Sequence, residues 1–220
     1  MPAIVRYDEQ YCPIARALDV LGDRWTLLIL RELLISDQRF SELKRHLPGI
    51  APSVLTQRLQ AMADEDLIAA KDLPGPATRS IYTLTERGRS AVPVLSALAK
   101  WGMPLLDEPS DTDVVRPWTA VNVAIGAYYD PVAAEGVDER YLVRLDGEEF
   151  RLWSRRGGRP PAAEIDLDDE PDVVIESSAR VWIDIRQGRL TMREARSRNL
   201  LHARGDRAAV ARFRKIFQVP

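Results

Sequence analysis

RFSELKRHLPGIAPSVLTQRLQAM, residues 39–62, reads as two short helices joined by a tight turn. In the first, Phe40, Leu43 and Leu47 recur at spacings of three and four, which gathers them on one helical face. Ser41 is the expected N-cap, its hydroxyl accepting from an unpaired amide of the first turn. Pro48-Gly49 then ends the helix, because proline disfavours a helical residue before it and glycine accepts a left-handed conformation. Pro52 opens the second helix at a position where a missing N–H costs nothing, and Leu55, Leu59 and Met62 form its inward stripe. Ser53, Thr56, Gln57 and Gln60 fall on the opposite side. Gln suits the edge of adenine, and Ser or Thr suits several base or phosphate partners. The other reading of the same pattern is an amphipathic helix with a solvated polar face.

Charge separates the two readings. Between residues 39 and 60 the bases Arg39, Lys44, Arg45 and Arg58 face the single acid Glu42, whereas the whole chain carries a formal net charge of -2. Positive charge is therefore concentrated where phosphates of a duplex would lie. Downstream, strand-like stretches at 67–73 and 80–84 flank Pro74, Gly75 and Pro76, the pattern of a rigid-tipped wing. Arg79 stands beside that tip, placed either to enter a minor groove or to serve as an ordinary solvated edge residue.

The string CPIARALDVLGDRWTLLILRELL, followed by RFSELKRHLPGIAPSVLTQRLQAM and by the DLI, YTLTERGR and WG elements, resembles the HxlR-type winged helix-turn-helix regulators over residues 8–108. The resemblance implies a homodimer that binds pseudo-palindromic operator DNA and controls transcription in response to a small molecule or a redox signal. The DNA-binding role would fall to Arg39, Lys44, Arg45, Ser53, Thr56, Gln57, Gln60 and Arg79. One departure is Ala51, where the family usually carries serine; losing a hydroxyl cap costs about 0.5–2 kcal/mol of helix stability.

Residues flanking this region fit a dimer. Ile14, Leu18 and Leu21 mark an amphipathic helix, and Trp25, Leu28, Ile29 and Leu33 another that supplies core. Between residues 85 and 105, Val92, Leu95 and Ala99 make one apolar line, and Val94, Leu98, Trp101 and Leu105 make a second. A helix apolar on two sides is buried on two sides, so Trp101 is expected at or near a dimer interface.

The chain has 220 residues, 45% of them hydrophobic, which at about 100–150 residues per domain predicts two domains. The expected division is 1–108 for DNA binding and dimerisation, 109–117 as an acidic, proline-bounded linker, and 118–220 as a second domain. The fold class is α+β. No signal-peptide pattern and no bilayer-length apolar run is evident, so the expectation is a cytoplasmic protein without membrane association. The halves before and after Glu108 carry 13 basic and 14 acidic, and 18 basic and 19 acidic residues. Neither half is a polycation, so DNA affinity must come from local clusters and be sensitive to salt.

Cys12 is the only cysteine and His46 and His202 are the only histidines, which leaves no cysteine-rich metal site; neither metal nor cofactor is expected. Cys12 precedes Pro13, as a sensing cysteine does in some HxlR-type regulators. It reads either as a redox sensor at a helix start or as a small, semi-buried apolar residue.

In the second half, residues 141–145 and 149–154 alternate around the hairpin signal Asp146-Gly147, with Phe150 and Leu152 inward. A third strand is expected at 172–177, a helix at 179–186, a short strand at 200–203, and a closing helix with Val210, Phe213 and Phe217 on one face. The succession DGEEFRL, VVIESSARVWIDIRQGRLTMREA, LLHARGDRAAVARFRKIF is similar to the sterol-carrier-protein type of lipid-binding domain. That resemblance implies an α/β sandwich with an apolar tunnel for a hydrophobic small molecule. Trp118, Trp153, Trp182, Phe213 and Phe217 are the candidate lining residues, with ordinary core packing as the competing role.

Residues 164–172 hold six acids, and residues 193–215 hold eight bases against Glu194 and Asp206. The basic run is either a second phosphate-contacting surface or a solvated helix face. Three functions compete: a ligand-responsive DNA-binding regulator, an enzyme acting on a lipid, and a DNA-binding dimer whose second domain docks a protein. The chain lacks a Gly-x-Ser-x-Gly elbow, a phosphate-binding glycine loop and a His-Glu pair at metal spacing, so catalysis is not expected.

Overall fold

A computed structural model describes residues 11–34, 36–73, 79–107, 115–155 and 170–220. The chain divides into two compact units, Met1–Val92 and Pro93–Pro220.

The first unit runs α1 (Pro13–Leu21), α2 (Thr26–Leu33), β1 (Gln38–Arg39), α3 (Phe40–His46), α4 (Pro52–Asp64), β2 (Ile68–Leu73), β3 (Arg79–Leu84) and α5 (Glu86–Ser90). β3 is the middle strand of a three-stranded antiparallel sheet, with β2 paired along its length and β1 joined at Gln38 opposite Tyr82. Ile29, Leu30 and Leu33 from α2, Leu43 and Leu47 around α3, Leu55, Leu59 and Met62 from α4, and Ile68 and Leu84 from the sheet are all buried. The helical stripes read from the sequence thus meet in one core. Gly88 lets α5 lie directly on the chain at Leu67, since a Cβ there would stand 2.0 Å from the Leu67 carbonyl oxygen.

Ser41 does not cap α3. The helix starts earlier, with Arg39 as the N-cap, and the Arg39 backbone N–H donates to Glu42 Oε2 at 2.7 Å. A carboxylate three residues into the helix reaches back to the orphan amide, so Ser41 lies within the first turn and faces solvent.

The boundary falls at the first residue of α6 (Val92–Gly102), whose remainder opens the second unit and is followed by a 3-10 turn, Met103–Leu105. This division falls ahead of the 109–117 linker expected from composition. The Gln187 side chain donates to the carbonyls of Met103 and Leu106 at 3.4 and 3.0 Å, and Lys100 lies 5.6 Å from the Tyr128 ring centre. Residues 108–114 lie outside the described residues, and Pro117, placed in the linker by composition, is the first residue of α7 (Pro117–Tyr128).

Next come β4 (Asp138–Leu145), β5 (Glu148–Arg155), β6 (Val173–Ser177), α8 (Ala179–Arg186), α9 (Met192–Ser197), β7 (Leu201–Gly205) and α10 (Arg207–Ile216). The strands form one mixed sheet in the order β5-β4-β6-β7, with β4 and β6 parallel and both outer pairs antiparallel. Asp146 and Gly147 turn the β4–β5 hairpin at φ of 50° and 86°, the left-handed pair that a two-residue hairpin requires. Asp146 Oδ2 also accepts the Ala179 N–H, so the same residue ties the hairpin to the start of α8.

One face of the sheet carries Tyr141, Val143, Leu152, Phe150, Val173 and Ile175, all buried. An aromatic cluster covers it: Phe213 lies 5.3 Å from Tyr141, 4.9 Å from Phe217 and 6.3 Å from Trp182, centre to centre. Tyr141 donates to Glu139 Oε2 at 2.8 Å, and Glu139 is also paired with Arg212. Burial first, then the hydrogen bond to Glu139, raises the Tyr141 pKa above its ordinary value of 10.0. A group whose folded pKa is raised contributes stability below its unfolded pKa and loses it as pH climbs toward the folded value. Stability should therefore fall above pH 10, with the fall less steep in Tyr141→Phe. Denaturant titrations of both proteins between pH 8 and 11 would measure it.

Candidate nucleic-acid interface

Helix α4 is positioned from behind and left open in front. Leu55 and Leu59 are buried in the core, whereas Ser53, Thr56, Gln57 and Gln60 are all exposed on the far side. Ala51 is the N-cap and makes no side-chain hydrogen bond, so Pro52 alone shapes the start of the helix. The preceding turn is set by Gly49, at φ of 86°, and by Ile50, which is buried between the two helices' ends.

The four polar side chains are not equivalent. Thr56 Oγ1 donates to the Pro52 carbonyl at 3.0 Å, which spends its proton within the helix but leaves its oxygen as an acceptor. The Gln60 amide donates to Asp64 Oδ1 at 2.9 Å, so a base must compete with that carboxylate. Ser53 and Gln57 have no side-chain hydrogen bond among the described residues and meet solvent with donor and acceptor both free. Gln57 is thus the residue best equipped for bidentate contact with a base edge.

The basic residues divide in the same way. Arg39 and Arg45 are exposed and Lys44 is half-buried, all on or beside α3. Arg58, counted from the sequence as part of the basic patch, is instead half-buried against Asp23 at an N–O distance of 3.5 Å. Its charge is compensated, and it links α4 to the turn ahead of α2. The wing strands β2 and β3 pair from Ile68 opposite Leu84 to Leu73 opposite Arg79. Arg79 is the first residue of β3, while the predicted tip, Pro74, Gly75 and Pro76, lies outside the described residues.

A polar network behind α3 escaped sequence reasoning. Glu32 is completely buried and receives Arg31 Nε and a second guanidinium nitrogen at 2.8 and 2.6 Å. Gln38, also buried, donates from Nε2 to the Glu32 carbonyl at 2.8 Å. His46 Nδ1 lies 3.0 Å from Gln38 Oε1 and 3.5 Å from Glu32 Oε2, and since both are acceptors in this arrangement that nitrogen carries the proton. The network joins α2, β1 and the last residue of α3, and so sets the height of α3 beneath the turn leading to α4. Its only sequence signal is an acid in the midst of an apolar helix, LLILREL.

Of the candidate ligand residues, Trp182, Phe213 and Phe217 are buried together, and Trp118 lies 6.2 Å from Phe150 on the same face of the sheet. Trp153 does not join them. It stands on the opposite face of β5, where its Nε1 donates to Asp138 at 2.7 Å and the Arg140 guanidinium lies 4.6 Å from its ring. Cys12 is the N-cap of α1, half-exposed and unpaired. Trp101 is 71% exposed, and no residue of α6 is buried. Among the described residues no cluster of histidine, cysteine and carboxylate side chains could hold a metal, and no helix is long and apolar enough to cross a membrane.

A three-stranded sheet behind two helices joined by a glycine turn, the second with its polar face outward, defines a winged helix-turn-helix module for binding duplex DNA. Comparison with known proteins agrees. The family described as HxlR-like helix-turn-helix matches residues 20–110. The helix-turn-helix-type transcriptional regulator YvaP of Bacillus subtilis is 35% identical over 106 residues, which are 48% of this chain and 97% of that protein. YodB, another such regulator from the same organism, is 32% identical over 46% of this chain and 90% of its own length. Solved structures that match include a MarR-family transcriptional regulator from Porphyromonas gingivalis W83, at 33% identity and a TM-score of 0.42, covering 44% of this chain and 95% of that one. The reduced form of YodB matches at 28% identity and a TM-score of 0.39, covering 46% of this chain and all of that one. The chain belongs to the HxlR-like helix-turn-helix family, and it is a DNA-binding transcription regulator.

Proposed function

We propose that the protein binds pseudo-palindromic operator DNA as a homodimer, with α4 in the major groove and the wing beside it, and that the second unit receives a hydrophobic effector. The observation that carries the first part is the outward face of α4, where Ser53 and Gln57 stand free above a buried stripe. Gln57 reads a base, Ser53 and Thr56 assist, and Gln60 contributes once released from Asp64. Arg39, Lys44 and Arg45 meet phosphates, as does Arg79 from the wing. Dimerisation is supported by α6, whose apolar Val94, Leu98 and Trp101, followed by Leu105, all face solvent in the single chain. Two recognition helices spaced about 34 Å apart match half-sites one helical turn apart.

Selection of bound duplexes from a random pool should return inverted repeats with that spacing, and a single unrepeated motif would overturn the dimeric reading. Gln57→Ala should weaken binding to the selected duplex by about 1–3 kcal/mol and relax the preference at one base pair of each half-site. Its thermal midpoint should change little, because Gln57 is exposed and makes no side-chain hydrogen bond among the described residues. A uniform loss over all sequences would instead assign Gln57 to phosphate.

For the second unit, the reading is a sterol-carrier-protein-like sandwich in which an apolar molecule enters the aromatic cluster of Trp118, Trp182, Phe213 and Phe217. Buried polar groups there support a ligand with an acceptor oxygen. Trp182 Nε1 and two of the Arg186 guanidinium nitrogens are buried with no hydrogen-bond acceptor among the described residues, although a third donates to the Gln218 carbonyl at 3.0 Å. Arg186 also lies 4.5 Å from the Tyr128 ring, and burial draws its pKa down to about 10, which leaves it cationic at neutral pH. Native mass spectrometry of the purified protein should show a co-purifying small molecule whose addition or removal alters operator affinity in a gel shift. Unchanged affinity with and without that molecule would leave the second unit a protein-docking module.

The half-exposed Cys12 thiol at the start of α1 supports a second reading, a redox-sensing regulator that forms an adduct or an intersubunit disulfide. Peroxide should then abolish operator binding by the native protein and not by Cys12→Ser.

A further inference from the structure

We propose that the second unit carries a separate binding site for a small phosphorylated molecule, in the groove between α9 and α10. The groove has a volume of about 430 Å³ and is lined by Met192, Arg193, Arg196, Arg207, Val210 and Arg214. That size falls within the ordinary range for small-ligand pockets, about 300–1,000 Å³. Two helices build it by simple spacing. Arg193 and Arg196 are three apart on α9, and Arg207, Val210 and Arg214 follow at intervals of three and four on α10, so each set shares a face.

The four arginines line one groove, and among the described residues no acid is paired with them, although Arg144, Arg189 and Arg212 of the same unit are paired with Glu149, Asp184 and Glu139. The two acids nearest in sequence are engaged elsewhere. Glu194 accepts from the backbone N–H and the hydroxyl of Thr191, at 2.8 Å each, closing the capping box of α9. Asp206 accepts from the Ala208 and Ala209 N–H groups at 2.9 and 3.1 Å, capping α10. Helix capping holds both carboxylates on backbone amides rather than on guanidinium groups, and the four bases lining the groove outnumber these two acids. An oxyanion offsets that excess, and guanidinium groups suit phosphate because their planar forks make paired hydrogen bonds.

The floor argues for a small molecule rather than a duplex. Met192 is buried and Val210 half-buried, so the arginines rim an apolar patch. A compact ligand with a phosphate or diphosphate and a small apolar body satisfies both. A DNA backbone would place only charged oxygens there. This face of α10 differs from the one that buries Ala209, Phe213 and Ile216, so the site does not depend on the aromatic cluster receiving a ligand.

Calorimetric titration of the full-length protein with sodium pyrophosphate, at ionic strength held constant with chloride, tests the proposal. One site per chain is expected, and Arg196→Ala/Arg214→Ala should bind about tenfold or more weakly. Both positions are exposed, and unchanged thermal unfolding would show that the variant folds. Arg204→Ala, which removes an exposed charge outside the groove, should stay within about twofold of the native affinity. Lysine at 196 and 214 should restore less than half of the lost binding free energy, because it keeps charge and loses the fork. Absence of pyrophosphate binding, equal losses in the groove and control variants, or displacement of pyrophosphate by a non-operator duplex would overturn the proposal. The last result would make the groove a nucleic-acid surface.

Discussion

Aspartate at both Leu98 and Trp101 should convert a dimer into a folded monomer that no longer retains operator DNA. In the single chain these side chains are 45% and 71% exposed, so replacing them removes little internal packing and the fold should survive. In the proposed dimer they are covered. Burying a large apolar side chain is worth about 1.5–3 kcal/mol, so two positions in each of two chains account for a substantial part of an interface. Desolvating the new carboxylates adds a further penalty. Sedimentation at micromolar concentration should show native dimers and variant monomers. Operator binding should weaken by about 10²–10⁴-fold, the avidity lost when one half-site is engaged alone. A variant that sediments like the native protein would remove α6 from the interface.

Glu32→Ala should strongly destabilise the first unit. Its carboxylate is inaccessible to water and holds Arg31 through two nitrogens, with His46 alongside. Removing one member of a buried ion pair typically costs about 3–5 kcal/mol, because the remaining groups keep their desolvation and lose their partner. Against a usual domain stability of about 5–15 kcal/mol, such a loss lowers the denaturant midpoint strongly. Glu32→Gln retains the shape and one acceptor, so its loss should be smaller. Urea unfolding of the two variants separates charge from hydrogen bonding, and equal midpoints for native protein and Glu32→Ala would refute the role given to this network.

The recognition region was legible because its information is local. The stripes Leu43–Leu47 and Leu55–Leu59–Met62 lie within single helices, and Pro48, Gly49 and Pro52 punctuate them at the positions the backbone demands. The Asp146-Gly147 turn and the alternation on either side of it were readable for the same reason. Helix α7 was hidden because Ala120 and Ala127 lie across the helix from Trp118, Val121 and Tyr128, so apolar residues surround it and no stripe marks the helical period. Ser41 misled because a hydroxyl is the commoner cap, whereas here Glu42 takes the Arg39 amide. Residues separated in sequence were the hardest to place. The approach of Glu32, Gln38 and His46, the pairing of Arg58 with Asp23, and the convergence of Arg193 and Arg196 with Arg207 and Arg214 all depend on how helices dock. Position 153 shows the limit of reading by residue type, since its neighbours in β5 point inward while Trp153 turns to Arg140 and Asp138 on the other side.

Asp23 and Arg58 act as a strut. The aspartate fixes the turn ahead of α2 by accepting the Trp25 N–H at 2.9 Å, and the same carboxylate oxygen braces the middle of α4. Because both side chains are largely sheltered, dissolved ions should weaken this brace much less than they weaken the phosphate contacts proposed for Arg39 and Arg45. On the proposed mode of binding, raising the electrolyte concentration should loosen the protein from its target while the geometry of α4 persists, so the slope of affinity against salt should count chiefly displaced counterions.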